Sequence, residues 1–516
     1  MPISLIPDNA PFSPAQRAWL DGFFTGVLGL EESITPNLEP EARVEKKEDY
    51  PWHDDTMPIA QRMDLAEDRP YRLKLMAAMG QQDCGQCGYL CKSYAEAIAS
   101  GAENDLTLCV PGGKETRKML KELFAKGPNK DVVSSPRPAA AAAGRGVYSR
   151  KAPFNAKAIA IAPLTKNGSV KEARHVAIDL TGSGITYQPG DSLGVFPHNC
   201  PALVQSILET VAATGEEQVT LNGSARSVRE AMSREFDITK PSDEAIEFLA
   251  EHATDSEQAA ALRALAQAGA DEGQDLLDIL EEYPSARPRA ADLVPKLGRL
   301  QPRLYSIASS LRAHKNEVHL TVGIVRYRRK KRLRKGVGST YFADALNAGD
   351  QVGVYVQAGY SFRLPQDGEA AIIMVGPGTG IAPFRAFLEE RAALGHKGKN
   401  WLFFGNPHSA TDFFYEKEIE KYEREGLLTK LNTAFSRDQQ DKLYVQHRMV
   451  QNSKALWAWL QEGAYFYVCG DATRMAPDVD AALHRIAVQV GQLTEEGAAQ
   501  YVKKLAAEGR YLKDVY

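Results

Sequence analysis

Cys84, Cys87, Cys91 and Cys109 are four of only six cysteines in 516 residues. They fall in the segments Asp83-Cys84-Gly85-Gln86-Cys87-Gly88-Tyr89-Leu90-Cys91 and Leu108-Cys109-Val110-Pro111-Gly112-Gly113. Thiolates are the soft ligands of iron–sulfur clusters and of structural zinc, and four of them complete either centre. A Cys-x-x-Cys pair at Cys84 and Cys87 is also the spacing of a thiol redox couple. The spacing leaves all three chemistries open. Cys200 has no partner nearby in sequence and reads as a lone thiol. Cys469, alone, reads as a small buried hydrophobe.

A second group of residues addresses phosphate. Met374-Val375-Gly376-Pro377-Gly378-Thr379-Gly380-Ile381-Ala382 follows an apolar run and opens a helical one. Glycines there let the backbone approach a pyrophosphate, and the helix start supplies amide donors and a positive dipole end. Farther on stand Ser436-Arg437-Asp438 and Lys442-Leu443-Tyr444-Val445-Gln446. A guanidinium and an ammonium in that position suit a 2′-phosphate, which favours NADPH over NADH. Tyr467-Val468-Cys469-Gly470-Asp471 ends a further apolar run, at the carboxyl edge where such sheets bind ligands. Gly336-Val337-Gly338-Ser339-Thr340 is a second phosphate cradle, and two cradles call for two phosphate-bearing cofactors. Between them, eight of the ten residues 326–335 are basic, read as a solvated hairpin or as a patch that steers an acidic electron acceptor.

The elements that position these residues follow from periodicity. Residues 14–30 carry Trp19, Leu20, Phe23, Phe24, Val27 and Leu28 at helical spacing. Residues 31–60 are acidic and loosely patterned, residues 62–127 are helical around the cysteines, and residues 128–150, with a five-alanine run, read as a linker. Residues 151–200 alternate like strands, residues 201–300 turn helical, and strands return at 318–325 and 351–356. From 370 to 490, strand and helix alternate in the rhythm of a parallel doubly wound sheet. The formal net charge is −4 with 25% charged residues, which suggests no nucleic-acid partner. No apolar run reaches the roughly 18 residues of a membrane span. The first residues lack a basic region followed by an apolar one, so a cytoplasmic, reducing setting is expected, in which Cys-x-x-Cys is metal-binding or redox-active.

Residues 151–516 resemble the flavoprotein subunits of the ferredoxin-NADP reductase and diflavin reductase family, in particular that of NADPH-dependent sulfite reductase. The resemblance rests on Tyr187-Gln188-Pro189-Gly190-Asp191, Arg303-Leu304-Tyr305-Ser306, Arg363-Leu364-Pro365, the stretch 376–387, Met475-Ala476-Pro477-Asp478 and the terminal Asp514-Val515-Tyr516. It implies a multidomain chain: a helical iron–sulfur module, an antiparallel β-barrel FAD domain with a helical insert, and an α/β doubly wound NADP domain. The expected boundaries are 1–60 for an N-terminal helical segment and linker, 61–127 for a 4Fe-4S module, 128–150 for a linker, 151–365 for the FAD domain with its insert at 201–300, and 366–516 for the NADP domain.

The resemblance also implies residue roles. FAD would be held by Thr239, Arg303, Leu304, Tyr305, Ser306, Thr321, Val322, Gly323, Tyr327, Gly336, Val337, Gly338, Ser339 and Tyr516, whose ring would lie on the flavin. NADPH would be held by Gly376, Gly378, Thr379, Gly380, Ser436, Arg437, Lys442, Leu443, Tyr444, Val445, Gln446 and Asp478. Ser306, Cys469 and Asp514 match positions that assist hydride transfer. In the family an FMN domain precedes the FAD domain; here the cysteine module, with Cys84, Cys87, Cys91 and Cys109 as metal ligands, occupies its place. Its wording resembles four-iron domains of electron-transfer proteins. The implied activity is an NADPH-dependent reductase passing electrons through FAD and a 4Fe-4S cluster to a haemoprotein, foremost the sirohaem beta subunit of assimilatory sulfite reductase. Other acceptors, such as nitrite or nitrate reductase, a ferredoxin or a P450, and a zinc-stabilised interaction module, stay as alternatives. The segment around Trp19 resembles one that assembles a homo-oligomer.

Overall fold

In a computed structural model, residues 50–53, 57–82, 85, 87–109, 111–127, 148–221, 223–271, 273–359 and 362–516 are described. The expected helix at 14–30, Cys84 and the alanine-rich stretch lie outside them. Residues Trp52–Tyr516 form one compact unit.

The cysteine segment is carried by short helices at Ile59–Leu65, Tyr71–Ala77, Cys91–Ala99 and Gly113–Lys126. Their apolar faces meet through Leu73, Leu75, Met76, Tyr94, Ile98 and Leu120, all buried. Thr116 Oγ1 donates to the Ala78 carbonyl at 2.7 Å and ties the last helix to the second.

Six strands follow: β1 (Phe154–Pro163), β2 (Ala173–Asp179), β3 (Ser192–Val195), β6 (Arg303–Ser306), β7 (Glu317–Gly323) and β10 (Gln351–Gln357). They pair antiparallel in the order β6-β3-β10-β1-β2-β7. The two edge strands meet again at a bridge between Ile307 and Leu320, so the sheet curls back on itself. Its interior is filled by Ala156, Val176, Ile178, Leu193, Val318, Leu320 and Val354.

Between β3 and β6 lies the expected helical insert, which also holds a small hairpin of β4 (Gln218–Leu221) and β5 (Ser224–Ser227). Its own core includes Ile207, Leu208, Ile246, Leu249, Leu262, Leu276 and Ile279. Ser227, Ser242, Asp255 and Asp275 cap four of its helices by accepting backbone N–H bonds, the usual satisfaction of a helix start.

The carboxyl-terminal sheet contains β11 (Ile372–Val375), β12 (Asn400–Asn406), β13 (Lys430–Phe435), β14 (Tyr465–Gly470) and β15 (Tyr511–Val515). All neighbours are parallel, in the order β13-β12-β11-β14-β15. Helices cover both faces, which is why β11 and β12 are buried along their whole length.

The basic run forms a hairpin of β8 (Arg326–Arg329) and β9 (Arg332–Lys335). It is not a free cationic patch. Arg329, Arg332 and Arg334 pair with Asp278, Arg332 and Arg334 also with Asp275, and Lys330 with Glu282, all three acids belonging to the insert. Arg326 and Lys335 pair with Asp344. Six of the eight cations are thus spent within the chain, which removes most of the field that steering an acidic acceptor would need.

Candidate active site

One cleft of about 1280 Å³ runs between the curled sheet, the insert and the parallel sheet. Of the residues expected to hold FAD, it is lined by Thr239, Arg303, Leu304, Tyr305, Ser306, Thr321, Gly323, Tyr327, Gly336, Val337, Gly338, Ser339 and Tyr516. Val322 is not among them: strand alternation turns its side chain into the core. Gly338 packs so tightly that a Cβ there would lie 2.5 Å from the Tyr305 hydroxyl and 2.8 Å from Arg303 Cγ. Arg303 is steadied by the Gln301 carbonyl at 2.6 Å and by Asp237 at 3.9 Å. The same Asp237 accepts from Thr239 Oγ1 at 2.6 Å, so the insert places Thr239 beside Arg303.

The parallel sheet contributes the other wall. Gly378 and Thr379 face the cleft from the turn after β11. Gly380 is obligatory there, because any Cβ would collide with the Cys469 carbonyl on β14. Tyr516 Oη and Thr379 Oγ1 share a 2.8 Å hydrogen bond, and the Tyr516 amide donates to the Gly470 carbonyl at 3.0 Å. The terminal ring is therefore pinned at the mouth of the glycine-rich turn.

Ser306, Cys469 and Asp514 come together at this junction. Cys469 and Asp514 are register partners on β14 and β15. Ser306 Oγ donates to Asp514 Oδ2 at 2.8 Å, and Cys469 Sγ lies 3.7 Å from the same oxygen. Burial pushes the Cys469 thiol well above its usual range, and the Asp514 charge adds to this. Cys469 is thus a neutral thiol that donates to a carboxylate.

Ser436 and Arg437 leave the carboxyl end of β13, with their amides bonded to the Asn406 and Pro407 carbonyls at 3.0 and 2.9 Å. Arg437 and Lys442 are exposed. Gln446 Nε2 donates to Asp478 Oδ2 at 2.9 Å, which joins two expected NADPH residues from different helices. Val445 instead belongs to the core of the parallel sheet, so only its backbone can serve a nucleotide. Tyr444 is exposed and Leu443 half-buried beside it. Gly376 backs the turn, where a Cβ would lie 2.5 Å from the Gly380 carbonyl.

Four further cleft residues were given no role by the sequence. Lys171 and Asn406 span the cleft through a 3.2 Å bond from Lys171 Nζ to Asn406 Oδ1, with the Lys171 pKa lowered by burial. Asn406 ends β12 at the carboxyl edge of a parallel sheet, a position that marks ligand sites. Asp275 and Arg334 line the insert side as a buried pair.

The cysteines form a second cavity. Cys87, Cys91 and Cys109 line it together with Met79, Gly80, Tyr89, Tyr94 and Pro111. The Gly80 amide points at Cys109 Sγ at 3.4 Å. Burial first, and the proximity of Cys109 next, push the Cys87 thiol up to about 11. Three thiols sharing one small, largely apolar space fit a bound metal centre, which would take them as thiolates. Cys84 lies outside the described residues.

A curled antiparallel sheet and a parallel sheet that share a large cleft, with a serine, thiol and carboxylate at their junction, define a flavin- and nicotinamide-dependent oxidoreductase. Residues 147–341 match the FAD binding domain family and residues 374–481 the oxidoreductase NAD-binding domain family. The chain is 43% identical over 429 residues to the sulfite reductase (NADPH) flavoprotein alpha-component of Bacillus subtilis, covering 81% of this chain and 70% of that protein. Proteins of the same name from Vibrio vulnificus and Photorhabdus laumondii are 43% and 44% identical over 78% and 72% of this chain, and 65% and 62% of their own length. The chain belongs to the sulfite reductase (NADPH) flavoprotein alpha-component family.

Proposed function

We propose that this chain is the NADPH-oxidising component of an assimilatory sulfite reductase and delivers single electrons to a sirohaem beta subunit. FAD, bound along Arg303–Ser306 and Gly336–Ser339, would supply the hydride acceptor. A [4Fe–4S] cluster held by Cys84, Cys87, Cys91 and Cys109 would supply the one-electron carrier that FMN provides elsewhere in the family. The curled sheet is read as the FAD barrel, and residues 61–127 as the cluster module.

The observation that carries this reading is a shared loop. Gly85 and Leu90 line the flavin cleft, while Cys87 and Cys91, from the same turn, line the thiol cavity. Around the hydride site, Asp514 orients Ser306, and the neutral Cys469 supplies an uncharged, dry surface for a nicotinamide. Thr379 holds Tyr516 over the cleft until a nucleotide displaces it. Arg437 and Lys442 take the 2′-phosphate, and the Gly378–Gly380 turn takes the pyrophosphate. The segment 14–30 is assigned to homo-oligomer assembly, and the working location to the cytoplasm.

Two measurements test the reading. Anaerobic titration with NADPH should bleach the bound flavin; an unchanged flavin spectrum sinks the hydride step. Metal analysis should return about four irons with acid-labile sulfide, and one zinc per chain would instead make the module structural. Co-purification with a sirohaem protein, rather than with a P450 or a ferredoxin, decides the acceptor.

A further inference from the structure

The cysteine loop is built into the flavin strand rather than set beside it. Gly85 has φ +67°, and a Cβ there would lie 2.6 Å from Leu304 Cβ on β6. At Gly88, φ +73°, a Cβ would lie 2.6 Å from both the Pro302 carbonyl oxygen and Arg150 Nη1. The Gly88 carbonyl accepts from Arg150 Nη1 and from the Tyr355 hydroxyl on β10, the latter at 3.2 Å. The same guanidinium bonds Gln301 Oε1 and lies over the Tyr89 ring, 3.6 Å from its centroid. One side chain therefore grips the loop's backbone, the loop's aromatic ring and Gln301, two residues before the flavin strand.

The module is also held at its far end. Arg117 and Lys121, on the helix Gly113–Lys126, both pair with Asp243 of the insert. Lys240 Nζ donates to the Thr107 carbonyl at 2.9 Å. A carrier that swings between donor and acceptor needs an interface that opens easily. Close glycine contacts, a multidentate guanidinium and a cation–π pair are the opposite.

We propose that Arg150 is a positioning residue that staples the loop carrying Gly85, Gly88 and Tyr89 to the flavin strand, so that the cysteine module works permanently docked instead of as a mobile domain. The working part rests on the cluster reading above; the staple itself does not. The test uses the full-length protein as purified and three variants: Arg150→Ala, Arg150→Lys and Tyr355→Phe. Hydrogen exchange of the amides at 85–92 is read by mass spectrometry, and cytochrome c reduction by NADPH is read alongside flavin bleaching.

Arg150→Ala should speed exchange at 85–92 by about tenfold, through loss of a charged hydrogen bond and a ring contact. Tyr355→Phe should speed it by about threefold, and Arg150→Lys should fall between. Cytochrome c reduction should drop in the same order, with flavin bleaching by NADPH little changed. Unchanged exchange in Arg150→Ala overturns the staple, whatever the iron content. Faster exchange with undiminished cytochrome c reduction overturns the docked working state. Absence of iron, with exchange still rising, defeats the cluster reading but leaves the staple standing.

Discussion

Ser306 Oγ donates a 2.8 Å hydrogen bond to Asp514 Oδ2, linking strand β6 of the curled sheet to β15, the last strand of the parallel sheet. The two residues belong to different sheets, so the bond exists only when both are docked. A hydrogen bond to a charged group contributes about 1.5–3 kcal/mol. Ser306→Ala and Asp514→Asn should therefore slow NADPH-driven flavin bleaching by about 10–100-fold. Rapid-mixing absorbance reads this directly. A rate within twofold of the parent protein would remove both residues from the hydride step.

Nucleotide choice should rest on Arg437. Its side chain is exposed at the end of β13, within electrostatic reach of Lys171. Arg437→Ala should raise KM for NADPH about tenfold or more, the worth of one charge-assisted phosphate contact, and leave KM for NADH nearly unchanged. Equal losses with both nucleotides would place the 2′-phosphate elsewhere.

The hairpin of β8 and β9 depends on a buried charge cluster. Arg334 is 6% exposed, against Asp275 and Asp278 at 5% and 3%. Removing one partner of such a pair leaves uncompensated charge and costs about 3–5 kcal/mol. Arg334→Met should lower Tm by several degrees and weaken FAD retention, since the hairpin carries Tyr327 and leads into Gly336. Differential scanning calorimetry and flavin release on dilution check the two effects.

Acid sensitivity should arise at the wall between the sheets. Burial, reinforced by Arg385 and the neighbouring histidines, holds His175 and His319 down to about 3. Tyr415 bonds His175 and Glu317 bonds His319, while Glu389 and Glu418 pair with the adjoining His314 and Arg385. Each folded pKa lies below the unfolded value near 6.5, so the unfolded chain binds more protons between these limits and stability falls as pH drops below about 6.5. One pH unit below that point costs up to about 1.4 kcal/mol per histidine. The parent Tm should fall more steeply from pH 7 to 5.5 than that of His175→Gln, as followed by thermal melts. Parallel slopes would exclude this histidine as the cause.

Much of the site was legible from local pattern. The glycine-rich turn at 376–380, the Arg303–Ser306 strand and the turn at 336–339 are contiguous runs, and residues of all three line the one cleft. The parallel sheet showed in its unbroken apolar strands, Ile372–Val375 and Trp401–Phe404, since such strands are buried on both faces. Asp237, Lys171, Asn406 and Arg150 were not legible. Each is a single polar residue whose partner lies far away in the chain, and no period or spacing marks it. Of the basic run the hairpin was legible but its neutralisation was not: the acids that pair with it, Asp275 and Asp278, sit some fifty residues earlier.

By itself the sequence determined the inventory: four clustered thiols, two glycine-rich turns and a strand-helix alternation. These depend on residue type and local spacing, which short-range sterics and hydrogen bonding translate directly into structure. Only the tertiary structure decided that Ser306 and Asp514 bond across two sheets, that the basic hairpin is internally neutralised, and that the cysteine loop is clamped onto Leu304 and Pro302 by Arg150. Those contacts form between segments that become neighbours only after each sheet and helix has buried its own apolar face.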